Sequence, residues 1–132
     1  MLIKLDFETD MPIYLQIKMQ IIEGIATGKL KQGESLPSVR QFASDLGINL
    51  HTVNKAYTFL KQDGFIIVHR QKGVVVNPGI GPEITKEYLL QLKKELMPLA
   101  AEAFCRGMLL EEFNKICSEM FLELNNSRGG NE

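Results

Sequence analysis

Residues 36–76 read LPSVRQFASDLGINLHTVNKAYTFLKQDGFIIVHRQKGVVV, and this stretch decides the fold. Two short segments in it repeat one apolar spacing, i, i+3, i+4, i+7, which places an apolar stripe on one face of a helix. Because only Gly47, Ile48 and Asn49 separate the segments, the two helices must meet at a tight corner. The pattern therefore predicts a helix-turn-helix. The stripes consist of Val39, Phe42, Ala43 and Leu46, and of Val53, Ala56, Tyr57 and Leu60.

A β-hairpin is expected directly after the second stripe. Phe65–Val68 and Val74–Val76 are mostly β-branched, and the polar segment between them contains a glycine. Asn49 is a suitable N-cap for the preceding helix, which should end at about Asp63 with Gly64 as its C′ residue. This order of elements, helix-turn-helix and then hairpin, is that of a winged helix.

The segment before the helix-turn-helix predicts one more helix and a short arm. Isoleucines at four-residue steps indicate a helix that ends at Thr27–Gly28. Asp10 is its expected N-cap, and residues 1–10 alternate apolar and polar as a short extended arm would. Lys29–Leu36 is expected to be a loop, with Pro37 opening the next helix.

The second half of the chain predicts a separate helical region. Residues 78–82 are rich in Pro and Gly and form the expected linker. Apolar periodicity predicts two helices within residues 83–124, and the polar tail at 125–132 is expected to be disordered. The expected fold is therefore mainly α with a small β-hairpin wing: a winged helix-turn-helix domain at 1–77 followed by a C-terminal two-helix region.

The two C-terminal helices carry apolar stripes that they cannot bury alone. We expect the stripes to be buried by pairing with a second copy of the chain. The alternative is that the two helices fold back on the first helix of the same chain. About forty residues are too few to enclose a metabolite, so no dedicated effector pocket is expected, and any small-molecule effector is unknown. The residues expected at the dimer interface are Tyr88, Leu92, Leu96, Leu99, Phe113, Ile116, Met120 and Phe121.

The charge of the chain is unevenly distributed. Its net charge is −1, but residues 29–72 hold seven basic and three acidic residues, whereas residues 78–132 hold six basic and nine acidic residues. The local excess of positive charge on the helix-turn-helix favours a polyanionic partner more than the total suggests. Neither a signal peptide nor an apolar run of membrane-spanning length is evident, so a cytoplasmic chain without a membrane partner is expected.

The sequence offers little for catalysis or metal binding. Cys105 and Cys117 match no zinc pattern and are expected to be reduced, partly buried packing residues, with a redox-sensing pair as the alternative. The two histidines, His51 and His69, have no Cys, Ser or carboxylate at a spacing that is typical of a catalytic site. The sequence also contains no Gly-rich phosphate-binding loop. We therefore expect neither an enzyme nor a bound metal or cofactor.

The outer face of the third helix is polar. Short side chains that form hydrogen bonds can contact base edges, and cationic side chains can bind phosphates. Asn54 could therefore pair with adenine, and Lys55 could bind either guanine or a phosphate. An ordinary solvated face is the alternative. Arg40 on the second helix, with Arg70 and Lys72 at the wing tip, adds cations and favours nucleic-acid binding. The polar residues of this helix face are His51, Asn54, Lys55, Thr58 and Lys61.

Three motifs occur in order along the chain. They are PIYLQI at residues 12–17, GKLKQGESLPSVR at residues 28–40 and NLHTVNKAY at residues 49–57. Together they resemble the GntR family of bacterial transcriptional regulators, and the short C-terminal region resembles its YtrA-like subgroup. From the length of the chain, we do not expect it to be one of the family members that are fused to an aminotransferase-like domain.

The resemblance implies a winged-helix domain in which the second helix, the third helix and the wing contact operator DNA. The segment Asn49–Lys55 would enter the major groove and the wing would reach toward the minor groove. The subgroup often has Pro and Asn at the positions of Leu50 and His51, so the base preference of the subgroup does not transfer to this point. His51 could read guanine or pack on a phosphate. The expected DNA contacts are Ser38, Arg40, Asn49, Leu50, His51, Thr52, Asn54, Lys55, Arg70, Gln71, Lys72 and Gly73.

The expected function is sequence-specific binding of a homodimer to a palindromic operator in double-stranded DNA, with repression as the outcome. The alternative is a winged helix used as a protein-interaction or scaffold module without specific DNA readout. Cations at both the recognition helix and the wing argue against that alternative. A DNA affinity that falls steeply with salt would separate the two, because counterion release scales with the number of phosphate contacts.

Overall fold

Both apolar stripes of the helix-turn-helix pack into one core, in which Val39 and Leu46 are partly buried and the other stripe residues are buried. In the computed structural model, which describes residues 3–130, they pack with Ile17, Ile21, Ile66 and Val76. Expectations for residues 1, 2, 131 and 132 lie outside the described part. The mainly helical fold with a β-hairpin wing is confirmed. The elements are α1 (Ile13–Ala26), α2 (Val39–Leu46), α3 (Leu50–Asp63), β1 (Ile66–His69), β2 (Gly73–Val76), α4 (Lys86–Cys105) and α5 (Leu110–Gly130).

The corner between α2 and α3 is built from two side-chain caps and one glycine. The Ser38 hydroxyl accepts a hydrogen bond from Gln41 N (3.1 Å), and Asn49 Oδ1 accepts one from His51 N (2.8 Å). Each helix N-terminus is thus capped by the side chain that precedes it, as predicted for Asn49. Gly47 ends α2 with a φ of +67°, a left-handed conformation that favours glycine.

Two helix starts differ from the prediction by a few residues. Pro37 is predicted to open α2, but the helix begins at Val39, because the residue between them supplies the cap. Asp10 is predicted to cap α1, but Pro12 occupies the cap position and the helix begins at Ile13 without a side-chain cap. Proline suits that position because the first N–H groups of a helix have no partner within it.

Two glutamines of α1 hold the N-terminal arm. The buried Gln16 accepts a hydrogen bond from Asp6 N (2.8 Å) and donates to Asp6 O (2.8 Å) and Met11 O (3.0 Å). Gln20 makes the same paired contacts with Lys4 N (3.0 Å) and Lys4 O (2.7 Å). The side-chain amides satisfy backbone groups of the arm that would otherwise need water or a neighbouring strand.

The wing is an antiparallel hairpin with an additional edge. Strands β1 and β2 pair in the register that joins Ile66 to Val76. Residues 33–36, which the sequence predicts as loop, lie along the other edge of β2. There Leu36 N donates to Val74 O (2.8 Å) and Val76 N donates to Glu34 O (2.9 Å). Long-range backbone hydrogen bonds therefore override the low strand propensity of this segment.

The linker before α4 is longer than predicted. Residues 77–85 contain neither helix nor strand, and α4 begins at Lys86 rather than near Glu83. The start is set by Thr85, whose hydroxyl accepts a hydrogen bond from Tyr88 N (3.0 Å) and caps the helix. The helix then continues to Cys105.

Helix α5 extends into the segment that was predicted to be disordered. It runs to Gly130, so the prediction of disorder from residue 125 is wrong for residues 125–130. Arg128 Nη2 donates a hydrogen bond to Ile25 O near the end of α1 (3.1 Å), a partner 103 residues away. This contact anchors the last turn, where a cation also interacts favourably with the helix dipole.

Candidate nucleic-acid interface

The outer face of α3 presents polar side chains to solvent. His51, Asn54 and Lys55 are exposed, whereas Val53 and Ala56, which lie between and beside them in sequence, are fully buried. Within residues 3–130 the Asn54 side-chain amide has no hydrogen-bond partner. Its donors and its acceptor are therefore available for the bidentate pairing by which Asn reads adenine.

The other predicted contacts of the helix-turn-helix lie at helix N-termini. Ser38 and Asn49 are exposed and cap α2 and α3 through their oxygens, which leaves the Ser38 O–H and the Asn49 NH₂ as donors. Leu50 is exposed, but Thr52 is half-buried and therefore the least accessible of the predicted set. Helix N-termini carry partial positive charge, so both positions suit a phosphate.

The cations predicted to contact DNA are exposed and have no acidic partner within residues 3–130. The ion pairs in that part of the chain join Lys18 to Asp63 (3.8 Å) and Arg106 to Glu102 (2.9 Å). An exposed cation that no carboxylate neutralises keeps its charge available to attract a phosphate. The cations in question are Arg40, Lys55, Arg70 and Lys72.

The wing tip is ordered by a residue that is not among those predicted from the sequence. His69 Nδ1 accepts hydrogen bonds from Gln71 N and Lys72 N, both at 3.1 Å. Gly73 follows with a φ of +75°, which lets the chain turn back into β2. Arg70, Gln71 and Lys72 are all exposed on this loop. Asn, Asp, Ser and Thr are the residues whose side chains commonly bind backbone N–H groups in turns, so the sequence carries no signal that would have identified His69.

A buried tyrosine connects the recognition helix to the start of α2. The Tyr57 hydroxyl donates a hydrogen bond to Pro37 O (2.8 Å), and its ring lies 6.0 Å from that of Phe42. Burial raises the pKa of Tyr57 because the phenolate would be poorly solvated. The phenol therefore remains a donor and fixes the position of α2, with Ser38 and Arg40, relative to α3.

A groove of about 720 Å³ lies between the end of α1, the base of the wing and the last turn of α5. Ile22, Phe65 and Arg128 are among its lining residues. We expected no pocket of metabolite size because the C-terminal helices alone cannot enclose one. Most of the lining comes from the winged helix and the linker, and α5 contributes Arg128, which bonds to Ile25 O of α1, so the expectation about the C-terminal helices stays a prediction.

Within residues 3–130, no group of three His, Cys, Asp or Glu side chains is placed to hold a metal ion. Cys105 and Cys117 are free thiols. Cys117 is half-buried, as predicted. Cys105 is exposed, because it is the last residue of α4 and no other element covers it there. In the same part of the chain, no helix combines the length and apolar character that crossing a membrane requires.

Comparison with known proteins agrees with this geometry. Residues 13–76 match the family described as bacterial regulatory proteins of the gntR family. The HTH-type transcriptional repressor YtrA of Bacillus subtilis (strain 168) is 31% identical over 119 residues, which cover 90% of this chain and 92% of the repressor. The similarity therefore includes the C-terminal helices as well as the winged helix.

Two solved structures match over nearly their whole length. A transcriptional antiterminator from Listeria monocytogenes EGD-e is 28% identical with a TM-score of 0.80, covering 94% of this chain and 92% of that one. YtrA from Sulfolobus acidocaldarius, a GntR-family transcription factor, is 40% identical with a TM-score of 0.56, covering 93% and 99% of the two chains. The chain belongs to the GntR family of DNA-binding transcriptional regulators, in its YtrA-like subgroup.

Proposed function

We propose that this regulator is a homodimeric repressor that binds a palindromic operator through α3 and the wing. The observation that carries the proposal is the set of exposed polar and cationic side chains on α2, α3 and the wing, which have no acidic partner within residues 3–130. Such a surface combines hydrogen-bonding groups for base edges with cations for phosphates.

The proposed roles follow from where each side chain lies. Asn54, with a free amide on the exposed face of α3, is the proposed reader of an adenine. His51, one turn before it, contacts a neighbouring base or phosphate. Arg40, Arg70 and Lys72 bind phosphates on either side of the recognition helix, and the loop ordered by His69 presents two of these cations.

Dimerisation is supported by apolar side chains that the chain leaves exposed. Leu99 of α4 is 64% exposed, Phe121 of α5 is 70% exposed, and no residue of α4 is buried. Folding back on α1 would bury the α4 stripe, so its exposure favours a second chain as the partner. Phe113 is half-buried. The other proposed interface residues, Tyr88, Leu92, Leu96, Ile116 and Met120, are between 39% and 57% exposed.

Repression of a palindromic site is the mode that fits these features. A twofold dimer places two recognition helices in a symmetric arrangement, which a palindromic operator matches. A dimer that occupies such a site blocks polymerase without a further domain. The Bacillus subtilis relative, similar over nearly its whole length, is itself named a repressor.

Selection of bound sequences from a random duplex pool tests the proposal most directly. A homodimer should enrich two inverted half-sites whose centres lie about one helical turn, or a multiple of it, apart. The enriched duplex should bind more tightly than random DNA, with an affinity that falls as salt rises. A pool that stays unenriched, together with salt-insensitive binding, would instead favour a protein-interaction module.

A further inference from the structure

Lys55 does not extend freely from the recognition helix. Its Nζ lies 4.1 Å from the centroid of the Tyr14 ring, on α1. Tyr14 is itself held by stacking on Phe59 of α3, with 5.8 Å between ring centroids and an interplanar angle of 26°. The ring of a half-buried tyrosine is thus fixed between two helices and offers its face to the ammonium group.

The second lysine of this aromatic cluster is in a different situation. Lys18 Nζ lies 5.3 Å from the centroid of the Phe59 ring, but it also pairs with Asp63 at 3.8 Å. Its charge is therefore partly neutralised. Lys55 has the closer ring and, within residues 3–130, no carboxylate partner.

We infer that Tyr14 is a positioning residue for DNA binding, which holds Lys55 at the α1 side of the recognition helix as a phosphate contact. This inference rests on the proposed function and chooses between the two roles, guanine or phosphate, that the sequence leaves open for Lys55. The contact holds the ammonium group at the ring of Tyr14 on α1. A lysine that reads guanine would instead have to extend to a base edge in the groove.

The ring contact has a physical advantage for binding. A free lysine side chain loses rotamer entropy when it engages a phosphate, whereas a lysine already held in place loses less. The ring occupies one side of the ammonium group, and its remaining N–H donors stay available to a phosphate oxygen. Because phosphates carry no sequence information, the effect of Tyr14 should be the same on operator and on random DNA.

The test uses the full-length chain and a mixed-sequence duplex, with affinity measured between about 50 and 200 mM salt. Tyr14→Leu should weaken binding about two- to fivefold, the range expected for one exposed cation–π contact, whereas Tyr14→Phe should bind like the wild type. Lys55→Gln should lower the slope of log affinity against log salt by about one for each chain bound. Lys18→Gln is the matched control and should leave the slope unchanged.

A double-mutant cycle separates positioning from a general effect on folding. Tyr14→Leu should have no further effect once Lys55 is replaced by Gln. An equal loss in the presence and absence of Lys55, or equal binding by the Leu and Phe variants, would overturn the inference. A wild-type chain with no affinity for any duplex would instead overturn the proposed function.

One measurement requires no substitution that could impair folding. In the wild-type protein, the Tyr14 ring current should shift the ε-methylene protons of Lys55 upfield in the NMR spectrum, since the carbon that carries them is bonded to Nζ, which lies over the ring. Ordinary lysine shifts at this position would contradict the contact and the inference with it.

Discussion

Asn54 is the residue on which sequence readout depends most directly. Its amide is exposed and unpaired within residues 3–130, so Asn54→Ala removes a base contact without leaving a buried group unsatisfied. We expect an affinity loss of about 1–3 kcal/mol on the selected operator and little change on random DNA. Competition binding with both duplexes measures the difference. Equal losses on the two would show that Asn54 does not read a base.

Lys72 should behave in the opposite way, because it lies on the wing and contacts phosphate in our proposal. Lys72→Ala should weaken operator and random DNA by similar factors and reduce the salt slope by about one per chain. The backbone N–H of Lys72 still donates to His69 Nδ1 in this variant, so the wing tip should keep its shape. Salt titrations on both duplexes would refute the assignment if only operator binding fell.

Tyr57 acts on stability rather than on recognition. Tyr57→Phe keeps the buried ring but leaves Pro37 O without its donor, which should lower the free energy of unfolding by about 1–2 kcal/mol. Denaturant unfolding at one fixed protein concentration measures this loss. Tyr14→Phe is a suitable control, since the Tyr14 hydroxyl makes no hydrogen bond within residues 3–130 and the change keeps the ring that stacks on Phe59. A Tyr57→Phe variant as stable as the wild type would contradict the role of this bond.

At the scale of elements, the hydrogen bonds between α1 and the N-terminal arm can be tested directly. Gln16→Ala removes three hydrogen bonds to the arm, two of them at Asp6, and should destabilise the protein by about 2–3 kcal/mol. Gln20→Ala removes two exposed bonds to Lys4 and should cost less. Hydrogen exchange should speed up at Asp6 N–H in the first variant and at Lys4 N–H in the second. Unchanged exchange at Asp6 would refute the anchoring role.

Elements that are determined by residues close together in the sequence could be predicted from the sequence. The stripe of α3 and its Asn49 cap depend on residues within one or two turns, and the structure reproduces both. The strand-like segment at residues 33–36 and the last turn of α5 depend on partners far along the chain. Their hydrogen bonds, from Leu36 to Val74 and from Arg128 to Ile25, leave no periodic signal in the sequence.

The candidate site likewise contains some residues that the sequence could predict and others that only the folded structure reveals. Polar residues on the exposed face of α3 follow from the spacing of the buried stripe, so Asn54 and Lys55 could be placed from the sequence. Tyr14 could not, because its contact with Lys55 exists only after α1 packs against α3. His69 lies at the end of a strand, and only the geometry of the loop reveals that it binds backbone N–H groups.

For the whole molecule, the distribution of charge and apolar surface separates two tasks. Residues 29–72 carry the excess of basic groups, whereas the acidic C-terminal half carries exposed leucine, methionine and phenylalanine side chains. An acidic surface there disfavours contact with DNA, and exposed apolar stripes favour contact with protein. A regulator organised in this way would bind DNA with one half and its own copy with the other.

The dimer can be tested with two neighbouring residues of α5. Met120, on the proposed interface stripe, is 57% exposed, and Leu122, which lies off the stripe, is 59% exposed. Met120→Glu would place a charge in the interface and should weaken dimerisation at least about tenfold, because burying an unpaired carboxylate is costly. Leu122→Glu adds the same charge to the same helix and should leave the dimer intact. Sedimentation equilibrium measures both, and equal effects of the two substitutions, or a monomeric wild type, would contradict dimerisation through this stripe.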